Sequence, residues 1–300
     1  DQDLPMNAEL APIALAGTAA AVVAAAAYAL LTPRDRGVPI APASAVATIR
    51  AISGEQAPEW LLALSRRTAA PVYRIPFLQP VYLITDATLA RRVLNDVTHG
   101  KPNLFFRVFD GICLGHASVF SMDSHKRWRG ARKALVPAFR PEHLRHMCQR
   151  CTEVLAEWES CTLAPMLDRG DPVDIAHEML RLTVFLICEL GFGVHADEAL
   201  VTRLLDDVHD SMTEYARKRP ANPLRILVGG LLPEARAARC AAERQMWWAQ
   251  ELLTRHRAGA NAVLGDELLV NLVDRNPVYA NDKERCADLV ALLIAGHDTT

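Results

Sequence analysis

The most informative segment of this chain reads Asp288-Leu289-Val290-Ala291-Leu292-Leu293-Ile294-Ala295-Gly296-His297-Asp298-Thr299-Thr300. Residues 289–294 carry no polar side chain. An apolar run without a polar face is typical of a helix that is buried on most sides. The segment therefore predicts a central helix around which the other elements pack.

The end of this helix changes character within one turn. Ala295 and Gly296 have little side-chain bulk, and Asp298 and Thr299 place a carboxylate beside a hydroxyl. On a helix, Ala295 and Thr299 share a face because they are four residues apart. Two interpretations remain open here: a buried helix with a polar last turn, or a pocket with room for a ligand beside a proton source.

The overall composition excludes some classes of protein. Of 300 residues, 51% are hydrophobic, which suffices for a large core in one or two domains. The formal net charge of −2, without a long basic run, argues against a nucleic-acid partner. Seven cysteines, an odd number without metal-ligand spacing, indicate free thiols in a reducing compartment and no metal site.

The beginning of the chain predicts a membrane anchor. After an acidic tail at residues 1–9, residues 10–31 are uncharged and long enough to cross a bilayer. Arg34 and Arg36 follow, so the positive-inside rule places the rest of the chain on the cytosolic side. The alternatives are an organelle-targeting leader or an Ala-rich tail. Residues 32–57, with three prolines before residue 43, predict a stiff, non-helical hinge.

Beyond the hinge, the chain predicts a mainly α fold with one small sheet near its start. Two β-branched and aromatic runs, at 72–75 and 81–84, predict a hairpin after a short helix at 59–68, and Asp86 is expected to cap a helix at 87–94. Residues 99–122 are interpreted as a loop that is either functional or packed through its phenylalanines. Most of the remainder predicts helices, at 125–136, 141–160, 174–190, 196–218, 233–257, 264–275 and 282–300.

Trp128 and Arg132 form a second notable pair. They are four residues apart on a predicted helix, so an indole N–H and a guanidinium point the same way. Both groups only donate hydrogen bonds, so together they could hold a carboxylate or a phosphate. The alternative is a surface tryptophan covered by an arginine through a cation–π contact.

The motifs in combination resemble the cytochrome P-450 family of haem-thiolate monooxygenases. The resemblance is carried by Trp128-x-x-x-Arg132, Pro137-Ala138-Phe139, the helix ending in Phe192-Gly193, and the segment from Ala295 to Thr300, in that order. It covers the whole chain, which corresponds to about half to two-thirds of a typical member. Residues 58–300 are then expected to be the N-terminal part of the monooxygenase domain, truncated within the central helix.

The resemblance implies a role for each residue. Trp128 and Arg132 would hydrogen-bond a propionate of haem b, and Ala295 and Gly296 would leave space above the iron. Thr299 would hydrogen-bond the activated oxygen, and Asp298 would supply protons to it. The family's electrons come from NADPH through a flavoprotein reductase, and a lipophilic substrate is expected. A location at the endoplasmic reticulum is favoured, and a plastid is the alternative.

One departure from the family pattern concerns the iron ligand. The Cys-containing loop that supplies the axial thiolate lies downstream of the central helix in this family, so the ligand is expected beyond residue 300 and residues 1–300 alone are expected to be inactive. Cys113 is rejected as a substitute because the Phe and Arg spacing around it does not match the loop. The alternative function is a truncated or degenerate, membrane-anchored helical protein without catalytic activity.

Overall fold

The computed structural model describes residues 37–52, 56–76, 81–96, 103–122, 125–170, 172–219, 224–259 and 268–298. Contacts divide the chain into residues 1–96 and residues 97–300. The helices of the first unit are α1 (Ala45–Ile52), α2 (Ala57–Thr68) and α3 (Ala87–Asn95). Those of the second are α4 (Asn103–Ile112), α5 (His125–Leu135), α6 (Pro141–Trp158), α7 (Ala164–Asp168), α8 (Ile175–Leu186), α9 (Glu198–Met212), α10 (Leu224–Val228), α11 (Pro233–Arg257), α12 (Leu269–Asp274) and α13 (Asp282–Asp298).

The first unit contains the predicted hairpin. Strands β1 (Val72–Ile75) and β2 (Val81–Ile84) pair antiparallel, with Val72 opposite Ile84. Alternate residues of β1, Tyr73 and Ile75, are buried in a small core. Asp86 caps α3 as expected, because its carboxylate accepts a hydrogen bond from the backbone N–H of Leu89 at 2.8 Å.

Two segments contain a helix where the sequence predicts a hinge or a loop, so these two predictions are wrong in part. Part of the predicted hinge forms α1: the prolines all precede Ala45, and the Ser44 hydroxyl accepts a hydrogen bond from the N–H of Ala47 at 3.1 Å. Part of the predicted loop at 99–122 forms α4. The glycine in its last turn, Gly111, leaves room for the ring of Tyr215, which a Cβ at this position would meet at 2.3 Å.

The second unit is built around α13, as the opening segment predicts. Every residue from Cys286 to Ile294 is buried. Helices α8, α11 and α12 all contact α13, and their apolar side chains join it in one core cluster. Short π-helical turns extend two neighbouring helices, α8 through Ile187–Gly191 and α9 through Thr213–Lys218.

A buried carboxylate fixes α13 against its surroundings. Asp288 is fully buried, yet it lies in an otherwise apolar stretch. Its side chain accepts hydrogen bonds from the Tyr279 hydroxyl and from the backbone N–H of Val119. Burial and the neighbouring Asp288 charge together raise the pKa of Tyr279, so this phenol stays protonated and continues to donate.

The predicted anchor at residues 10–31 lies outside the described residues. Among the helices of the described part of the chain, none has the length and apolar character needed to cross a membrane.

Replacing Asp288 with alanine tests the importance of this carboxylate. The substitution leaves two buried donors, on Tyr279 and Val119, without their acceptor, so the free energy of unfolding should fall by about 3 kcal/mol. Tyr279→Phe removes one of the two hydrogen bonds and should cost about 1 kcal/mol. Urea denaturation measures both changes. The exposed Asp206→Asn is the control, and a loss for Asp288→Ala no larger than that of the control would contradict the assignment.

Candidate functional site

Helix α5 carries Trp128 and Arg132 on one face, as the spacing predicts. Trp128 is half-buried and packs against the main core, whereas Arg132 is exposed. The guanidinium carbon of Arg132 lies 5.2 Å from the centre of the Trp128 ring. This contact is the cation–π arrangement that the sequence left open.

The cation–π contact does not exclude the carboxylate cradle. A guanidinium stacks through its flat face, but its N–H donors lie in its plane. Arg132 can therefore remain over Trp128 while its edge binds an anion bidentately. Both interpretations of this pair are compatible with the geometry.

An ion pair joins α5 to the first turn of α13. Arg127 donates to the carboxylate of Glu284 at 2.6 Å, and the backbone N–H of Ala280 donates to the same carboxylate at 2.8 Å. Burial opposes ionisation of Glu284, but these two hydrogen bonds and the Arg127 charge outweigh it, so its pKa lies below its ordinary value. At Gly130, an added Cβ would approach Val278 to 3.2 Å, so the helix backbone lies close to that residue.

The other end of α13 makes a close steric contact. A Cβ at Gly296 would lie 2.7 Å from Cδ1 of Ile187, and a Cβ at Gly191 would lie 2.8 Å from the same atom. Ile187 therefore occupies the space that both glycines leave open. Gly296 thus has a packing role, which the sequence did not reveal, and its predicted role toward haem stays a prediction.

The remaining residues of the predicted site are only partly described. Ala295 is half-buried next to Gly296, and the backbone of Asp298 ends α13. Buried His297 accepts a hydrogen bond through its backbone carbonyl from the Thr183 hydroxyl at 3.4 Å, which ties the last turn to α8. The side chain of Asp298 and the whole of Thr299 lie outside the described residues.

The buried cysteines are held as neutral thiols. Cys113 is fully buried and its thiol lies 3.5 Å from the backbone carbonyl of Ala287, to which it donates. Burial first, and then the charges of Asp288 and Asp110, raise its pKa. Burial also raises the pKa of Cys188 to about 12. Cys113 is therefore a packed thiol, which agrees with its rejection as a haem ligand, and no metal-ligating cluster occurs among the described residues.

The donor set of α5 fits a haem propionate. Trp128 and Arg132 are both hydrogen-bond donors, they lie in contact on one face of the helix, and the arginine is accessible. At Gly296, however, Ile187 fills the volume beside the backbone, so the small size of Gly296 is explained by packing. The Ile187 contact does not account for the small size of Ala295. The fit to haem is thus carried by the α5 pair.

Sequence reasoning missed three residues that organise this region: Asp288, Ile187 and Gly191. Asp288 had a usable signal, because an acid that opens a long apolar run needs a buried partner. Ile187 and Gly191 had no such signal, since their importance depends on an approach between α8 and α13 that the order of residues does not encode.

The direction of the stability change caused by Gly296→Ala tests the steric contact. In an open helix, alanine stabilises relative to glycine by about 0.5–1 kcal/mol. Here the new methyl group would collide with Ile187, so the free energy of unfolding should fall by about 1–3 kcal/mol instead. Urea denaturation of the single variants and of the Ile187→Ala/Gly296→Ala double variant measures the coupling, and the double variant should lose less than the sum of the two.

Gly230→Ala is the matched control, because an added Cβ there meets no atom within 4 Å among the described residues. A stabilising Gly296→Ala would contradict the close approach.

The chain is similar to known cytochromes in its fold. In the solved structure of cytochrome P450SP alpha (CYP152B1) in complex with (R)-ibuprophen, 80% of this chain matches 55% of that chain, with 15% identity and a TM-score of 0.60. In a cytochrome P-450 structure (CYP102L1), 89% matches 58%, with 15% identity and a TM-score of 0.67. In cytochrome P450EX alpha (CYP152N1) with myristic acid, 87% matches 58%, with 10% identity and a TM-score of 0.59.

At these identities the solved structures show the fold alone, and this chain spans little more than half the length of each. A search among curated proteins found no significant match. The family model described as cytochrome P-450, in contrast, matches residues 55–300. This match covers most of the chain and contains both the α5 pair and the central helix, and the chain therefore belongs to the cytochrome P-450 family.

Proposed function

We propose that this chain forms part of a haem-dependent monooxygenase that inserts one oxygen atom of O2 into a lipophilic organic substrate. The observation that carries the proposal is the stacked Trp128–Arg132 pair on α5, within a chain that the family model matches over residues 55–300. Two clustered donors, one of them a guanidinium, suit the carboxylate of a haem propionate.

The protein's own contribution is to position groups and to control protons. Arg132, held over Trp128, would bind a propionate, and the α13 backbone near Ala295 would border the pocket. Haem, when bound, supplies the oxygen chemistry. The buried apolar length of α13 would exclude bulk water from this side, so that protons arrive through Asp298 and Thr299 and not through solvent.

Electrons would come from NADPH through a flavoprotein reductase. Besides Arg132, helix α5 exposes Lys126, Arg129 and Lys133, and this basic surface would attract an acidic partner. Arg127, on the same helix, is paired with Glu284. The alternative is a solvated basic face without a partner.

A membrane location and a lipophilic substrate form the remaining part of the proposal. Residues 10–31 would be the anchor, with the endoplasmic reticulum as the favoured location. In and after α10, Ile226 and Leu231 are 65% and 80% exposed, which is unlike a buried linker and suits contact with a membrane. The (R)-ibuprophen and myristic acid named for the similar structures are both largely apolar acids, which supports a lipophilic substrate.

Hemin binding tests the propionate role of Arg132. Wild-type chain mixed with hemin should shift the hemin absorption band, and Arg132→Ala should weaken retention about tenfold, because a charge-assisted hydrogen bond is lost. Lys133→Ala removes a neighbouring positive charge of the same helix and should leave retention nearly unchanged. Equal retention by Arg132→Ala and wild type would contradict the cradle.

Thr299→Ala tests the proton-delivery role in a chain that also carries the family's Cys-containing loop, supplied with a reductase. Without the hydroxyl, proton delivery should fail while reduction continues, so NADPH is consumed and hydrogen peroxide is released in place of oxygenated product. The measured quantity is product formed per NADPH oxidised. Thr254→Ala, an exposed threonine of α11, is the control. Unchanged coupling in Thr299→Ala would refute the role.

A further inference from the structure

A groove of about 470 Å³ lies between α9 and α11, on elements that carry none of the predicted haem-site residues. The proposed haem residues lie on α5 and α13, so the function of this groove is a separate question. Its lining combines apolar side chains with three arginines and three carboxylates. A cavity of this size is within the range that binds small organic molecules.

The floor of the groove is apolar and well packed. Leu204, Leu252 and Trp248 line it and are buried. The ring of Trp248 packs edge-on against the fully buried Phe192, with 5.6 Å between the ring centres. The floor therefore rests on the core and needs no rearrangement to accept a ligand, which reduces the entropic cost of binding.

One wall presents an exposed aromatic ring. Trp247 lines the groove and is 64% exposed, although tryptophan is usually well buried. An exposed indole beside a packed apolar floor offers a flat surface for stacking. The ligand that suits this wall is itself flat and apolar.

Two of the three arginines that line the groove are paired with carboxylates. Arg244 donates to Asp207 at 2.9 Å, and Arg255 donates to Glu251 at 2.8 Å, so these two arginines are neutralised. Asp197 caps α9 by accepting from the N–H of Leu200 at 2.8 Å.

Arg203, by contrast, is exposed at the groove and makes no hydrogen bond or ion pair with any residue in the described part of the chain. A guanidinium in this state can bind a carboxylate through two parallel hydrogen bonds.

From these features we propose that the groove between α9 and α11 binds a small aromatic carboxylate, with its ring on Trp247 and the apolar floor and its carboxylate on Arg203. The ring supplies the contact area, and the guanidinium supplies the preference for an acid over a neutral analogue. The site is independent of haem and does not rest on the proposed monooxygenase activity.

Calorimetric titration of the full chain with 2-naphthoate and with the neutral 2-naphthamide tests the proposal. The acid should bind with a Kd on the order of 0.1–1 mM, and about tenfold more tightly than the amide. The same result is expected with and without bound hemin, because the groove shares no residue with the α5 pair. Equal binding of acid and amide, or no binding of either, would overturn the proposal.

Two variants test the two proposed contacts of the ligand, one with Arg203 and one with Trp247. Arg203→Gln should weaken the binding of 2-naphthoate about tenfold and abolish the preference for the acid over the amide. The control is Arg236→Gln, which replaces an exposed arginine of α11 outside the groove and should change neither the affinity nor the preference. Trp247→Ala should weaken the binding of the acid and of the amide alike, by several-fold. The control Leu231→Ala, which removes another exposed apolar side chain, should change neither affinity. Wild-type binding by Arg203→Gln or by Trp247→Ala would show that the ligand binds elsewhere.

Discussion

The buried carboxylate of Asp288 is the constraint on which the second unit depends. A carboxylate in an apolar interior is tolerated only if it receives hydrogen bonds, because its desolvation is otherwise too costly. Its donors come from outside α13: the Tyr279 hydroxyl from the turn before the helix, and the Val119 N–H from the segment before α5. Satisfying one side chain therefore fixes the position of three segments, and a rotation or shift of α13 would break both hydrogen bonds at once.

The far end of α13 is held by a different kind of force. There Ile187 fits between two glycines, Gly191 and Gly296, and the contact is steric. Polar satisfaction at Asp288 and close packing at Gly296 together fix α13 at two points about two helical turns apart. A helix fixed at both points can hold its last turn at a constant position relative to α8, as the proposed proton delivery would require.

The α5 pair and the groove between α9 and α11 share one feature. Each combines a tryptophan with an arginine, Trp128 with Arg132 and Trp247 with Arg203. They differ in contact: Arg132 lies over its ring, whereas Arg203 is on the helix opposite Trp247. The first arrangement prepares a guanidinium for an anion, and the second leaves a gap that a ring can enter.

The sequence by itself determined the mainly α class, the hairpin at 72–75 and 81–84, the Asp86 cap and the buried central helix, because each depends on local periodicity and capping. It also brought Trp128 and Arg132 together, since four residues on a helix set a face. Only the tertiary structure decided that Arg132 stacks on Trp128, that Asp288 joins Tyr279 to Val119, and that Gly296 makes room for Ile187. The Asp288 and Gly296 contacts join residues from different segments, and their energies depend on distances between those segments that no local pattern specifies.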